Sequence, residues 1–254
     1  MKLIGRDKLL KREIYPRVQK HTPFVLTGQR GIGKSAVLKW AYDVCKGQKL
    51  YLSCRGTYGQ TIKAIAELQG MDIKKKKLAE IETEIMKGDK IHLFLDDLER
   101  ATPKLIALLG HLNDFWPISF AGVEPFREEV KRLLWGKKRI KIIAVAKKYR
   151  LGLAEEAICA TGRPMDRNEI AIQSKGVPAR AWALARGEIV KEEEDRVEGE
   201  EVNIAPILLL AIAGIMIVRF IGLGTGEREL YILGGLGMGI GVFARFFIYK
   251  AMRK

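Results

Sequence analysis

The run Gly28-Gln29-Arg30-Gly31-Ile32-Gly33-Lys34-Ser35 constrains the fold of this chain more than any other feature. It fits G-x-x-x-x-G-K-[ST] in full. It follows the apolar run Phe24-Val25-Leu26-Thr27 directly and opens a segment of helical periodicity from Ser35 to Val44. A strand, a glycine-rich loop and a helix in that order make a phosphate cradle. Glycines let consecutive backbone N–H groups wrap the anion, and the helix adds the positive end of its dipole. Lys34 is expected to reach the β- and γ-phosphates of a bound nucleotide, and Ser35 to ligate Mg²⁺. The remaining cradle positions, Gly28 to Gly33 and Ala36, are expected nucleotide contacts.

The segments around this loop alternate between strand and helix. Lys49–Cys54, Ile91–Leu95, Ile118–Ala121 and Ile140–Ala146 read as further strands. Helical patterns occupy Thr61–Gln69, Leu78–Met86, Pro103–Leu112 and Glu124–Trp135, with a helical lead-in over residues 1–20 and a turn at Tyr15-Pro16. The strands are apolar runs rather than alternating ones, as expected when both faces of a sheet are covered. The expected fold is therefore α/β: a five-stranded parallel sheet flanked by helices over residues 1–150. Beyond Lys148 the pattern becomes wholly helical (Ala154–Ala160, Asp166–Ser174, Val177–Arg186), which predicts a small helical lid over 151–187.

The second carboxylate-bearing feature is Ile91-His92-Leu93-Phe94-Leu95-Asp96-Asp97, an apolar strand ending in acids. Asp96 is expected to organise Mg²⁺ through its water shell. Asp97 takes the place of the residue that polarises an attacking water, with Glu99 and Glu124 as fallback bases. His92 reads as a satisfied core imidazole, and Trp116 and Trp135 read as core. The three cysteines, Cys45, Cys54 and Cys159, fit neither a disulfide framework nor a zinc spacing. Reduced thiols and the absence of an apolar run after Met1 place the soluble part in the cytoplasm.

With both motifs in view the chain resembles the AAA+ P-loop ATPases, in particular the archaeal, origin-recognition and transposition-helper type, over about residues 1–187. The resemblance implies ATP and Mg²⁺ as ligands and ATP hydrolysis as the reaction. Ile4-Gly5-Arg6 resembles the short motif that helps hold adenine, through Ile4 and Arg6. Ser119-Phe120-Ala121-Gly122 resembles the sensor strand, with Ser119 its polar residue. Gly176-Val177-Pro178-Ala179-Arg180 resembles the second sensor, which implies that Arg180 touches the γ-phosphate. Homo-oligomeric assembly is implied too, with Arg127, Arg132 or Arg139 as the arginine offered to a neighbour's nucleotide. Asp97 departs from the pattern, since most members carry Glu there. Paired aspartates also resemble the slow switch NTPases.

The chain contains 48% hydrophobic and 30% charged residues, and the two are segregated. Residues 188–201 are acidic and too poor in apolar groups to fold alone, so they read as a linker. Two apolar runs follow, Ile204–Leu223 and Leu230–Tyr249, each close to the ~20 residues that span a bilayer. Residues 202–254 therefore read as a transmembrane helical hairpin with a basic tail. Lys250, Arg253 and Lys254 put both termini on the cytoplasmic side, and Gly235-x-x-x-Gly239 suits close helix packing. The net charge is +15, and residues 1–187 carry more than all of it. Basic clusters at Lys74–Lys77, Lys137–Lys141 and Lys147–Arg150 suit duplex DNA or anionic lipid; a solvated, thermophile-like surface is the alternative. The chain has no room for a processing domain, so a protein partner is expected to supply any second activity.

Overall fold

A computed structural model describes residues 3–73, 76–163, 165–188, 213–214, 216–217, 220–221 and 224–226. The chain divides into two compact units, Met1–Gly199 and Glu200–Lys254.

The first unit is built on a parallel sheet of β1 (Phe24–Thr27), β2 (Lys49–Ser53), β3 (His92–Asp96), β4 (Ile118–Ala121) and β5 (Lys138–Lys141), in the spatial order β2-β3-β4-β1-β5. Every residue of β1, β3 and β4 is buried. Because side chains alternate along a strand, each central strand feeds two cores. Val25, Leu93, Leu95, Ile118 and Phe120 face a core shared with α4 (Tyr58–Leu68), α5 (Leu78–Ile85), α6 (Pro103–Asn113) and α7 (Glu128–Leu133). Phe24, Leu26, Phe94 and Ala121 face the other, against α3 (Lys34–Val44) and the N-terminal helical segment.

Local sequence sets the helix starts. Thr57 caps α4 and forms a reciprocal capping box with Gln60, while Thr102 caps α6 ahead of Pro103. The N-terminal segment runs through α1 (Asp7–Leu9), a π-helical turn (Leu10–Ile14) and α2 (Tyr15–Gln19). Tyr15-Pro16 is thus helical rather than the expected turn. Proline has no N–H and crowds the carbonyl four residues back, and the wider π turn immediately before it absorbs that misfit.

Three further expectations are corrected. The fifth strand is Lys138–Lys141, shorter than Ile140–Ala146 and starting earlier in the chain. Its register is set by β1, with Phe24 opposite Lys138 and Thr27 opposite Lys141. It is an edge strand, and its exposed lysines and arginine discourage pairing with another sheet. The helix expected from Glu124 begins only at Glu128, past Pro125. Trp135 then falls in the turn beyond it and is 87% exposed, whereas Trp116 is buried as expected.

The lid consists of α8 (Arg150–Thr161), α9 (Arg167–Gln173) and α10 (Pro178–Ala185), closed on its own small core of Leu153, Ala154, Ala157, Ile170, Ala181 and Ala185. Two backbone links join it to the loops that follow β5 and β1. Val145 N–H donates to the Gly176 carbonyl at 2.8 Å, and Ala179 N–H donates to the Gly31 carbonyl at 3.1 Å. Among the described residues no helix is long and apolar enough to cross a membrane. The expected spans, Ile204–Leu223 and Leu230–Tyr249, lie almost wholly outside the described residues.

Candidate functional site

The sheet order places the site. β1 is central, between β4 and β5, and β3 is the next strand beyond β4. The loop after β1 and the acids ending β3 therefore share one edge of the sheet, at the carboxyl ends of the strands, where α/β folds bind ligands. A cleft of about 400 Å³ lies there, bounded by Arg30, Gly31, Lys34 and Ser35 on one side and by Asp96, Asp97 and Glu99 on the other.

The loop has the geometry that phosphate binding needs. Gly28, Gly31 and Gly33 all have positive φ. A Cβ on Gly28 would come within 2.4 Å of the Ile142 carbonyl oxygen, and one on Gly31 within 2.7 Å of the Ala179 Cβ. Lys34 is buried in the first turn of α3, and its Nζ donates to the carbonyls of Gly28 and Gln29, each at 2.9 Å. The ammonium is thereby held inside the loop.

Across the cleft, Asp96 is buried at the end of β3 and accepts from Tyr51 Oη on the adjacent strand at 2.9 Å. Burial and the neighbouring carboxylates push the Tyr51 phenol up, so it stays a donor. The same carboxylates, together with burial, push the Cys54 thiol up to about 12, burial being the larger cause. Asp97 follows with φ 55° in the left-handed region, one that Asp tolerates better than most residues. Its carboxylate is not free. Arg55 Nε donates to Oδ2 at 2.7 Å, Arg55 Nη2 to Oδ1 at 3.3 Å, and Ser53 Oγ to Oδ2 at 3.1 Å.

Other expected residues divide cleanly. Ile4, Arg6, Ile32, Gly33 and Ala36 meet lid residues Leu153, Pro178 and Trp182 around a second crevice. Arg6 is buried there, donates to the Ile32 carbonyl at 3.1 Å, and has its pKa lowered by burial to about 10. The crevice holds only about 20 Å³, room for one water. Arg180 is buried in the first turn of α10, next to the Ala179–Gly31 link, but does not line the cleft.

Ser119 does not line the cleft. It is fully buried in β4 and lies 3.0 Å from His92 Nε2, at the far end of β3 from Asp96. Residues Gly122 and Val123, just past β4, reach the cleft instead. Glu99 also lines it and accepts from the Val123 N–H at 3.0 Å. Glu124 does not line it; it pairs with Arg139 at 3.6 Å. Arg127 donates to the Ala101 carbonyl, and Arg132 is exposed. The arginines that do line the cleft, Arg30, Arg55 and Arg100, include two that sequence reasoning missed. A basic residue directly after a strand beside the acidic one was the only available signal for Arg55.

The fold is that of a P-loop NTPase. Among solved structures, RuvB of Thermotoga maritima is similar at a TM-score of 0.50 and 13% identity, over 72% of this chain and 61% of that one. Domain III of the Thermotoga maritima replication initiation protein DnaA gives 0.49 and 14%, over 75% and 89%. Aquifex aeolicus DnaA bound to AMPPCP gives 0.47 and 14%, over 72% and 62%. What is shared at this identity is the fold, and the chain spans about three fifths of the RuvB length. No protein-family model matches the sequence, and no curated protein sequence matches it.

Proposed function

We propose that the chain is a membrane-anchored AAA+ ATPase, which binds ATP with Mg²⁺ and hydrolyses it to drive assembly or remodelling of DNA or a protein partner. The observation that carries this reading is the single cleft in which Lys34 and Ser35 of the phosphate loop face Asp96 and Asp97. Its donor set suits a magnesium nucleotide: a wrapped loop without side chains at Gly28 and Gly31, one buried ammonium, a hydroxyl and a buried carboxylate. Ser35 and Asp96 would hold Mg²⁺, which neutralises charge on the phosphates when bound. Lys34 exchanges its loop carbonyls for phosphate oxygens. Arg6, with Ile4, backs the nucleobase crevice, and Arg180 on α10 lets the lid respond to the γ-phosphate. Asp97, once released by Arg55, orients the attacking water.

Membrane attachment rests on the two apolar runs of residues 202–254, with the ATPase unit and both termini cytoplasmic and a homo-oligomer as the working form. The basic surface of residues 1–187 favours duplex DNA, and RuvB, whose fold is similar, is described as a Holliday junction branch migration motor. Anionic lipid is the competing target of that charge, and a protein partner the competing substrate. The archaeal affiliation is part of the same proposal.

The test is steady-state ATP hydrolysis by the full-length protein in neutral-lipid liposomes, with and without duplex DNA, at two salt concentrations. A rate raised by DNA and lowered again by salt supports a DNA-directed ATPase. Hydrolysis indifferent to DNA points to a protein partner. One observation favours a second reading, a slow ATP-dependent switch that recruits a partner to the membrane: the Arg55–Asp97 ion pair occupies the residue that would orient water. Nucleotide binding with a rate near zero in every condition selects that switch.

A further inference from the structure

The end of the sheet remote from the phosphate loop gathers three side chains of metal-ligating type. His21 lies in the turn after α2, Cys45 caps the C-terminus of α3, and His92 opens β3. Their ligand atoms all lie within 4.8 Å of one another. The two imidazole Nδ1 atoms are 3.4 Å apart, and Cys45 Sγ is 3.7 Å from that of His92 and 4.0 Å from that of His21. A tetrahedral zinc with Zn–N of about 2.0–2.1 Å and Zn–S of about 2.3 Å sets its ligands at N···N of roughly 3.3 Å and N···S of roughly 3.6 Å. The observed triangle matches the first spacing and exceeds the second by a few tenths of an ångström.

The surroundings favour ligation. His92 Nε2 is 3.0 Å from the buried Ser119 Oγ, so a proton on Nε2 donated to that hydroxyl leaves the Nδ1 lone pair directed at the cluster. This arrangement, a ligating histidine oriented through its other ring nitrogen, recurs in metal sites. Phe94 stacks on the His92 ring at 4.3 Å and 17°, which fixes its plane. His21 itself adopts φ 49°, a left-handed conformation of the kind that clusters at functional sites. A cavity of about 570 Å³, bounded by His21, His92, Asn113 and Asp114 among others, opens beside the cluster.

We propose that His21, Cys45 and His92 form a zinc site with three protein ligands, and that a water from the adjoining cavity takes the fourth position. Binding forms the Zn–S bond as the Cys45 thiol proton leaves to solvent. The site ties the α2–β1 turn, the end of α3 and the start of β3 together, on the opposite edge of the sheet from the nucleotide cleft. Ser119 is its positioning residue, acting through His92.

The full-length protein, stripped with a chelator and free of nucleotide, is titrated with Co²⁺ and then with Zn²⁺. One equivalent of cobalt is expected, with thiolate-to-cobalt absorption in the near ultraviolet and tetrahedral bands in the visible that zinc abolishes. His21→Ala, at an exposed position, should lose the signal and bind at least ~100-fold more weakly, as should Cys45→Ser. Ser119→Ala should weaken binding about 10–100-fold. Asp96→Asn, which removes a carboxylate of the phosphate-loop metal site, should leave the cobalt–thiolate signal unchanged, which separates this metal from one at the phosphate loop. Circular-dichroism melting in chelator confirms that the His21→Ala chain is folded. Absence of a stoichiometric cobalt–thiolate signal in the wild type, or its survival in both His21→Ala and Cys45→Ser, overturns the proposal.

Discussion

If the cleft hydrolyses ATP as proposed, single side chains set its rate. Lys34→Ala removes the one ammonium held within the phosphate loop. It should lower ATP hydrolysis by at least ~100-fold, the order seen when one transition-state donor is lost, while the thermal midpoint changes little. Comparing both quantities in one preparation checks this. Arg55→Ala acts in the opposite sense. Its guanidinium is largely exposed and grips Asp97 in two hydrogen bonds. Removing it frees the carboxylate and should raise the hydrolysis rate several-fold; an unchanged or lower rate means that Arg55 contributes to the reaction rather than restraining it. Thiol chemistry checks the burial at this scale. Cys54 is buried with its pKa pushed up to about 12, Cys45 is buried, and Cys159 is exposed. The native, metal-stripped chain should therefore show one fast thiol among three towards an aromatic disulfide at pH 8, and Cys159→Ser should abolish it.

Between elements, the contact that matters most is the one joining lid to loop. Gly31 combines a φ of 78° with an approach to Ala179 that leaves no room for a methyl group. Gly31→Ala should cost about 1–3 kcal/mol through the strained backbone alone, and should weaken ATP binding further by pushing α10 off the loop. Urea unfolding and nucleotide titration measure the two effects separately. The core between sheet and helices sets a reference for size. Leu109 in α6 is fully buried, so Leu109→Ala should cost ~2–5 kcal/mol and leave nucleotide affinity unaltered in the fraction that remains folded. Most elements were legible because their patterns are local: apolar runs for β1 and β4, helical periodicity for α3. The misses occurred where a partner decides. β5 starts at Lys138 because β1 offers four residues to pair with; α7 starts late because Arg127 adopts extended backbone as its N-cap.

For the whole molecule, the charge distribution and the apolar C-terminal runs make a joint prediction. The full-length chain should float with neutral-lipid vesicles irrespective of salt, since a hydrophobic span is indifferent to screening. A chain ending at Gly199, the boundary between the two compact units, should remain with neutral vesicles at no salt concentration and should bind anionic vesicles or DNA only at low salt. Flotation across a salt series distinguishes these cases, and salt-sensitive flotation of the full-length chain contradicts a hydrophobic anchor.

Read alone, the amino-acid order determined the phosphate loop, the acidic end of β3, the α/β class and the helical lid, because each rests on contiguous residues with a local physical reason. Only the tertiary structure decided what stands opposite what. The order β2-β3-β4-β1-β5 set Arg55 and Tyr51 against the two aspartates and carried Ser119 away from them to His92. It also assembled His21, Cys45 and His92 from three separate elements, where no spacing along the chain could show them. Strand order depends on which surfaces bury together, and that is a property of the packed chain rather than of any stretch of it.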